Sequence, residues 1–526
     1  MDMLAGKRAG CATVGLLRGR EPAFFDPAPP GVLVESMEDL WQAARECAGV
    51  TRRGLFVAGG IGLLTAALPG EEDRGTRLRT APSASWQEEN VMDLEDIPSL
   101  CSHEHWGSVA SFGMEPEGFR ADVVPGATPI RRTGLLDVLL DPYLAGFMTA
   151  SGSDLHSAVS GLGVTELQSA HGADLEQVWT RLREPLRVHE TTGAFQAIRR
   201  GIRRLHGADI AHPQQVRAAD ERIASAYGEV FAHYKGAMKR ANLRNVIRPV
   251  HPEFYWRDTE TPSAREESAL IRTVVRIDPL MNMWQTGSAR REKLAQAVEI
   301  DPGDARSWRA FLRAIFERAA AKGAVGIKQL AAYTRSLEYG LHPDASVRFR
   351  GDLTDAEVHA FQDWVVHECC KLADDLGWPH QIHVGTHNLP QSNPLPLGQL
   401  AARYRRMPLV WLHCWPYHVE AGWLAWQHPN VYLDGCWLAV LNPAFLEQAL
   451  TAWLGLVPMH KILCGHDATS VEMAVGAVEA VRRILGRALA GRVSEGAVTE
   501  GAARKLAWDI LYRNAARLYG CLAEAG

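Results

Sequence analysis

Residues 381–414 read QIHVGTHNLPQSNPLPLGQLAARYRRMPLVWLHC, and this stretch contains the unit from which the fold can be predicted. Two apolar, strand-like runs, 381–386 and 408–414, each carry a histidine, and a longer segment that is compatible with a helix separates them. Near-continuous apolar runs that alternate with helices are typical of parallel strands that are buried on both faces. The stretch therefore predicts a β/α repeat with a histidine close to the end of each strand.

The same unit recurs from about residue 95 to the C-terminus. Eight runs fit buried strands: 97–105, 245–250, 272–278, 324–330, 381–386, 408–414, 430–435 and 461–467. Helical patterns follow them, as in 355–377, where apolar residues recur at helical spacing and a glycine ends the segment. Eight parallel units predict an α/β fold, a (β/α)8 TIM-type barrel over residues 90–526. Helical spacing over about 135–243 adds a large insertion after strand one, which we expect to sit over the barrel mouth.

The composition restricts the class of protein. Lys+Arg is 56 and Asp+Glu is 61, which gives a net charge of −5, and hydrophobic residues make up 47% of the chain. This balance is that of a soluble globular protein without a basic face, so we expect no nucleic-acid partner. The 9 cysteines form no C-x-x-C pair, and several lie in apolar strand-like runs. We therefore predict neither a disulfide framework nor a cysteine metal site.

The first 80 residues resemble a leader segment. Arg52 and Arg53 stand directly before the uncharged run 54–67, which is the layout of a twin-arginine export signal. The run is shorter than the ~20 apolar residues of a membrane span, so no stable span is expected. Some fifty residues precede the pair, which leaves a later start, such as Met37, or an ordinary helix as alternatives. The prediction is a disordered or removed segment and a periplasmic location, with a cytoplasmic location as the alternative.

Polar side chains recur at the C-terminal ends of the predicted strands, where barrel enzymes carry their chemistry. His103 and His105 end strand one, and residues two apart on a strand face the same side. The later strands add four more such side chains: Lys328, His383, His413 and Asp467. Inward-facing barrel positions otherwise favour Val, Ile or Leu, so this pattern predicts a catalytic centre.

In this pattern the sequence resembles the amidohydrolase superfamily, in particular its amidohydrolase-2 branch. The likeness covers roughly residues 95–520 and depends on the ordered His-x-His, His, His and Asp set. VGIKQLAAYTRSL (325–337) resembles the amidohydrolase domain fused to glutamine-synthetase-like proteins. TGAFQAIRRGIRRLHGADI (192–210) is similar to that group and to uronate isomerases, and ILYRNAARLYG (510–520) resembles the last helix of the branch.

The resemblance implies a role for each side chain. His103, His105, His383 and Asp467 would bind the metal, and Asp467, His413 and Lys328 would be catalytic. Imidazoles and a carboxylate suit Zn²⁺, which makes hydroxide available near neutral pH. Asp467 would accept the proton of the activated water, and His413 would polarise a substrate oxygen or pass a proton.

Three residues leave alternatives open at this stage. Lys328 would either bridge two metals as a carboxylated lysine or contact the substrate, and one ion is favoured over two because no further acidic partner is visible. Arg276 and Arg335 lie just past strand ends, where each would either bind a substrate carboxylate or form a structural ion pair.

The sequence thus predicts a metal-dependent hydrolase that cleaves an amide, ester or lactone-type bond in a small, carboxylated substrate. The first alternative is a non-hydrolytic relative, either a uronate-isomerase-like enzyme or a decarboxylase of aromatic acids. The second is a metal-binding barrel without catalysis, because a fold does not determine a reaction. Assembly into a homo-oligomer stays open.

Overall fold

The computed structural model describes residues 91–105, 134–139, 143–144, 173–256, 262–285, 287–386 and 388–522, together with four short strands nearer the N-terminus. The chain divides into two units, Met1–Gln87 and Glu88–Gly526. The four strands of the first unit are Ala12–Leu16, Val32–Val34, Leu55–Ala58 and Leu63–Ala66. The last two lie in the predicted leader core and pair antiparallel, where the alternative interpretation expected a helix. The leader itself stays a prediction, because most of residues 1–80 lie outside the described part.

The second unit contains the eight predicted strands in one parallel sheet. In chain order they are β1 Ser99–Cys101, β2 Leu243–Val250, β3 Ile271–Arg276, β4 Ala324–Gln329, β5 His380–Gly385, β6 Leu409–Trp415, β7 Val431–Asp434 and β8 Ile462–Leu463. Each pairs in parallel with its sequence neighbour, from β1 to β8. Just past the ends of β1 and β8, the backbone amide of Asp467 donates to the carbonyl of His103 at 2.9 Å. The backbone amide of His105 donates to the carbonyl of Ala468 at 3.1 Å. The two edges therefore meet, as the predicted barrel requires.

Helices follow the strands in the order that the sequence predicts. The described helices after β2 are Pro262–Leu270, Asp278–Met281, Ala289–Val298, Ala305–Ala321, Asp355–Leu376, Leu397–Arg403, His418–Gln427, Leu438–Leu441, Pro443–Leu454, Val471–Ser494, Glu500–Trp508 and Asn514–Leu518. Local chemistry fixes their ends: Thr354 and Glu357 form a capping box, and Gly377 ends that helix at φ 66°. Among the described residues, no helix is both long enough and apolar enough to span a bilayer.

The barrel interior is apolar below the site. Side chains of β1, β2, β3, β6 and β8 pack with the C-terminal segment in one buried cluster: Leu100, Ile247, Val274, Val410, Leu412, Leu463, Ala515, Ala516 and Tyr519. The Tyr519 hydroxyl reaches Gln381 of β5 at 2.7 Å. The last helix therefore fills the barrel from the end opposite to the polar strand ends, and it contributes to the support of the site.

Helices are present in the segment between β1 and β2 where the sequence predicts an insertion. Its described helices are Leu135–Leu139, Ala173–Val188, Gly193–His206, Val216–Tyr227 and Val230–Arg240. Gly193–His206 packs along Val471–Ser494, the helix that follows β8. A Cβ on Gly201 would lie 1.7 Å from the carbonyl oxygen of Glu472, and one on Gly476 would lie 1.8 Å from that of Ala197. This part of the insertion therefore lies against the outer helix layer, because paired glycines permit close helix packing.

We expect Gly201→Ala to lower stability by about 3 kcal/mol or more, because the new methyl group must push two helix backbones apart. Gly236→Ala is the matched control, since this helical glycine has no atom within 4 Å of the added Cβ, and alanine favours a helix by up to about 1 kcal/mol. The apparent Tm of both variants measures the effect. Equal Tm values for Gly201→Ala and the natural protein would contradict the close crossing.

Candidate metal centre

Three predicted ligands come together where β1 and β8 end. His105 Nε2 lies 3.2 Å from Asp467 Oδ1, and His103 Nε2 lies 4.0 Å from Asp467 Oδ2. One donor atom from each of these residues lies within 4.8 Å of the other two. The backbone hydrogen bonds between the two strand extensions hold these side chains in register. Residues that are more than 350 positions apart in the sequence thus form one cluster.

A contact with Gln381 of β5 fixes the orientation of the His103 ring. Its Nδ1 lies 2.8 Å from Gln381 Oε1, while Gln381 Nε2 donates to the carbonyl of Ser102 and to the hydroxyl of Tyr519. The amide oxygen of Gln381 must therefore accept, so His103 carries its proton on Nδ1. Its Nε2 keeps a lone pair toward Asp467 and has no hydrogen-bond partner among the described residues, although it is buried. This is the tautomer that a metal ligand requires.

His413 and His383 form a second layer beside this cluster. His413 Nδ1 lies 3.6 Å from Asp467 Oδ2, and His413 Nε2 lies 3.0 Å from His383 Nδ1. His383 Nε2 lies 2.7 Å from the hydroxyl of Thr386, which donates to Gly385 and can accept from the ring. The structure thus brings three of the four predicted metal ligands together, and it places His383 next to His413.

The backbone around the cluster is strained. His413 and Asp467 have φ values of 67° and 53°, in the left-handed region that non-glycine residues rarely adopt. Such strain costs about 1–3 kcal/mol per residue and persists where the surrounding structure requires it. Both residues are buried, His413 within β6 and Asp467 four residues after β8, and the strained backbone turns their side chains toward the site.

Lys328 ends β4 and is fully buried, and its Nζ has no hydrogen-bond partner among the described residues. Burial and the neighbouring Arg276 lower the pKa of Lys328 to about 7. Burial raises the pKa of Asp467 to about 7, against the opposing influence of Lys328 and Tyr143. A substantial neutral fraction of the lysine is therefore present at neutral pH, which is unusual for this side chain.

The two predicted substrate arginines differ in their surroundings. Arg276 is 24% exposed, contacts Asp278 (3.3 Å) and His251 (3.0 Å), and lines a cavity of about 250 Å³. Arg335 lines the same cavity, but its buried guanidinium is held by Asp363 at 2.5 Å and by Gln362 at 3.1 Å. Arg276 therefore leaves part of its guanidinium accessible to a substrate carboxylate, whereas the contacts of the buried Arg335 fit the structural ion pair that the sequence left open.

Comparison with known proteins identifies the family of the larger part of this barrel. Residues 273–521, from β3 to the C-terminal segment, match the family model described as amidohydrolase. This segment belongs to the amidohydrolase family. The matched amidohydrolase segment contains Lys328, His383, His413 and Asp467, while His103 and His105 precede it. β1 and β2, which precede the matched segment, belong to the same sheet as the later strands.

Relatives of the amidohydrolase segment extend the comparison. Protein fluG of Emericella nidulans is 31% identical over 175 residues, which is 31% of this chain and 20% of that protein, so the match spans about a fifth of its length. Uronate isomerase from Thermotoga maritima has a TM-score of 0.61 at 15% identity, covering 81% of this chain and 95% of that one. Glucuronate isomerase from Caulobacter crescentus has a TM-score of 0.60 at 17% identity, and the match covers 82% of this chain and 92% of that one. A candidate metal-dependent hydrolase from Lactobacillus casei has a TM-score of 0.51 at 17% identity, and the match covers 82% of this chain and 98% of that one. At these identities the three structures show a shared fold.

The amidohydrolase site fits a divalent cation. Two imidazoles and one carboxylate are ligands that Zn²⁺ and similar ions accept, and the free lone pair of His103 Nε2 points into the cluster. A second group, His413, Cys436 and Asp467, also lies within 4.8 Å. Burial raises the pKa of the Cys436 thiol well above its usual value, so this group offers a poorer ligand set.

Three contributors to the amidohydrolase site were missed by the sequence reasoning. Tyr143 of the insertion donates from its hydroxyl to Asp467 Oδ1 at 2.9 Å. Glu104 is buried between the two histidines, accepts from the amides of His105 and Ala468, and has its pKa raised well above the usual range by burial. Gln381 orients His103. Its position two residues before His383 on one strand was a usable signal, because both then face the barrel interior.

Metal affinity should depend on one proton between pH 5 and 7. Asp467 must lose a proton to bind a cation, and its pKa is raised to about 7, whereas burial holds the pKa values of His103 and His105 well below their usual range, so both are already neutral. The apparent Zn²⁺ affinity is therefore expected to fall about tenfold for each pH unit below 7. Calorimetric titrations at three pH values measure the slope. A dependence of three protons, or none, would contradict these assignments.

Proposed function

We propose that this chain is a metal-dependent hydrolase that cleaves an amide, ester or lactone-type bond in a small, carboxylated molecule. The convergence of His103, His105 and Asp467 at the C-terminal ends of β1 and β8, with His413 beside the carboxylate, carries the proposal. Membership of the matched segment in the amidohydrolase family supports a metal-dependent enzyme of this fold. The bond type and the substrate are the proposed part.

Each side chain has a role that its contacts allow. We infer one Zn²⁺ ion held by His103, His105 and Asp467, because two imidazoles and a carboxylate suit that ion; it would supply Lewis acidity toward a water and a substrate oxygen. Asp467 has a pKa near the working pH, so it can accept a proton and release it.

His413 lies beside the carboxylate that would carry the proton. Its Nδ1 lies 3.6 Å from Asp467 Oδ2, and its Nε2 contacts His383, which in turn contacts Thr386. His413 Nδ1 also lies 3.1 Å from the carbonyl oxygen of Cys436, so both ring nitrogens are engaged by the protein. Asp467 would therefore return its proton to the leaving group directly, while His413 would hold the carboxylate in place and His383 would hold the His413 ring. His383 thus changes from a ligand in the sequence prediction to a positioning residue in this proposal.

Arg276 is proposed to bind the substrate carboxylate, and Lys328 to contact the substrate deeper in the site. We expect Arg276→Gln to raise KM about 10- to 100-fold with a smaller change in kcat, because a charge-assisted hydrogen bond to the carboxylate is worth about 1.5–3 kcal/mol. An ester without a carboxylate should be insensitive to the change. If both substrates respond equally, the arginine has no such role.

The fold likeness to two uronate isomerases favours an isomerase of sugar acids as the second candidate, since they match over both the barrel and the insertion. A decarboxylase of aromatic acids and a barrel that binds metal without catalysis complete the alternatives. Product mass separates them when purified protein is incubated with a panel of lactones, N-acyl amino acids, uronates and aromatic acids. Hydrolysis adds the mass of water, decarboxylation removes carbon dioxide, and isomerisation leaves the mass unchanged. Metal binding without turnover of any class would contradict the proposed function.

We also propose export through Arg52 and Arg53. Replacement of both by lysine should retain the protein in the cytoplasm, because twin-arginine export depends on that pair. Fractionation of a bacterial host measures the location. Unchanged distribution of the variant would contradict an export role.

A further inference from the structure

A second group of ligand-type side chains lies outside the barrel site, where the insertion meets the helix that follows β8. Nε2 of His206 lies 3.0 Å from Glu472 Oε1, and Nε2 of His233 lies 3.1 Å from the same oxygen. The hydroxyl of Tyr227 donates to the other oxygen, Oε2, at 2.7 Å. The four residues come from four helices: Gly193–His206, Val216–Tyr227, Val230–Arg240 and Val471–Ser494. We call this group the insertion cluster.

The insertion cluster is closed to solvent. The side chain of Glu472 is 0% exposed, that of His206 4% and that of His233 8%. Among the described residues, Glu472 forms ion pairs with these two histidines and with no lysine or arginine. A buried carboxylate is costly unless cationic or hydrogen-bonding partners compensate it. Here that compensation comes from two imidazoles and the Tyr227 hydroxyl, and a cation can replace the pairing with the imidazoles.

The distances suit a bound ion. In a tetrahedral site with bonds of about 2.0–2.2 Å, neighbouring ligand atoms lie roughly 3.4 Å apart. Both imidazole nitrogens are within 0.5 Å of that separation from Glu472 Oε1, and all three donor atoms lie within 4.8 Å of one another. The two nitrogen–oxygen separations would thus change by only a few tenths of an ångström on coordination, and the Tyr227 hydroxyl or a water could take the fourth position.

The backbone holds the insertion cluster in place. Arg222 Nη1 donates to the carbonyl of His206 at 2.6 Å, which fixes the end of that helix. The close crossing at Gly201 lies one and a half turns earlier in the same helix and touches the backbone of Glu472 itself. The ligands thus project from a packed junction, which is the arrangement expected of a structural metal site.

We propose that the insertion cluster is a second, structural metal site, which binds a divalent transition-metal ion of the Zn²⁺ class through His206, His233 and Glu472. The ion ties the helical insertion to Val471–Ser494, the helix whose N-terminus follows Asp467 by a few residues. On binding, each neutral imidazole would carry its proton on Nδ1 and present the lone pair of Nε2 to the ion. The site does not depend on the proposed hydrolase activity.

Metal stoichiometry of the full chain tests the proposal. Protein stripped with a chelator and reloaded with ZnCl₂ is analysed by mass spectrometry of the metal, as the natural chain, as the barrel variant His103→Ala/Asp467→Asn, and as His233→Gln. We expect the barrel variant to keep one ion per chain and His233→Gln to lose one ion relative to the natural chain. His212→Ala, an exposed histidine of the same insertion, should lose none.

Two further readouts keep the test decisive. If the barrel variant does not fold, as judged by circular dichroism, the comparison of His233→Gln with the natural chain and with His212→Ala still counts the ions. Zn²⁺ should raise the apparent Tm of the folded barrel variant by several degrees. It should not change the apparent Tm of the triple variant that also carries His233→Gln. A barrel variant that binds no ion, or a His233→Gln chain with the full metal content, would overturn the proposal and leave a hydrogen-bonded cluster only.

Discussion

Asp467→Asn is expected to reduce kcat/KM by roughly 10³-fold, within the range of 10²–10⁴ that a positioned general base contributes. Asparagine keeps the size of the side chain and can still accept from Tyr143 through its oxygen, but it cannot take up a proton. It also removes the negative charge that holds His105 Nε2 at 3.2 Å. Hydrolysis of the substrate identified by product mass, measured at pH 7 under saturating Zn²⁺, gives the result.

The matched control is Tyr143→Phe, which removes the 2.9 Å hydrogen bond to Asp467 and leaves the carboxylate in place. We expect this variant to lose less than about tenfold in kcat/KM, since one hydrogen bond contributes about 1 kcal/mol. An Asp467→Asn enzyme that keeps more than a tenth of its activity at saturating metal would remove Asp467 from the chemistry. The proposal would then have to assign the base to another residue.

The double variant His103→Ala/His105→Ala is expected to weaken Zn²⁺ binding at the barrel site by at least about 100-fold, because it leaves one strong ligand of the three. The two rings are adjacent, with centroids 5.0 Å apart, so the double variant empties one side of the cluster. Competition with a coloured chelator gives the affinity, and the effect should appear for Co²⁺ as well as Zn²⁺.

Two control variants separate ligand loss from general damage. Gln381→Leu keeps both histidines but removes the acceptor that fixes the His103 tautomer, so a 10- to 100-fold loss is expected. His418→Ala changes a partly exposed histidine at the start of the helix that follows β6 and should have no effect on Zn²⁺ affinity. Full affinity in the double variant would mean that the cation binds elsewhere in the barrel.

The strands and the central ligands could be predicted because their signals are local. An apolar run such as 461–467 specifies a buried strand, and its terminal aspartate must then lie at the same end of the barrel as His103 and His105. His383 shows the limit of this reasoning. Sequence places it at the right strand end, but the 3.0 Å contact with His413 depends on ring orientation, which the register of neighbouring strands determines.

Long-range partners could not be predicted in the same way. Tyr143 reaches Asp467 from an insertion whose packing has no periodic signal linking it to β8, and 324 residues separate the two. His206 and Glu472 are 266 residues apart, and each alone is consistent with an ordinary helix position. For Arg335 the sequence left two roles open, and the structure shows that it lines the cavity while Asp363 of the following helix pairs with its charge.

The most direct test of the account is the position of a bound metal in a crystal grown with Zn²⁺ and measured at the zinc absorption edge. We predict an anomalous peak about 2.0–2.2 Å from Nε2 of both His103 and His105 and from a carboxylate oxygen of Asp467. A peak coordinated by His383 and His413 instead, or the absence of any peak at the ends of β1 and β8, would contradict the metal centre described above.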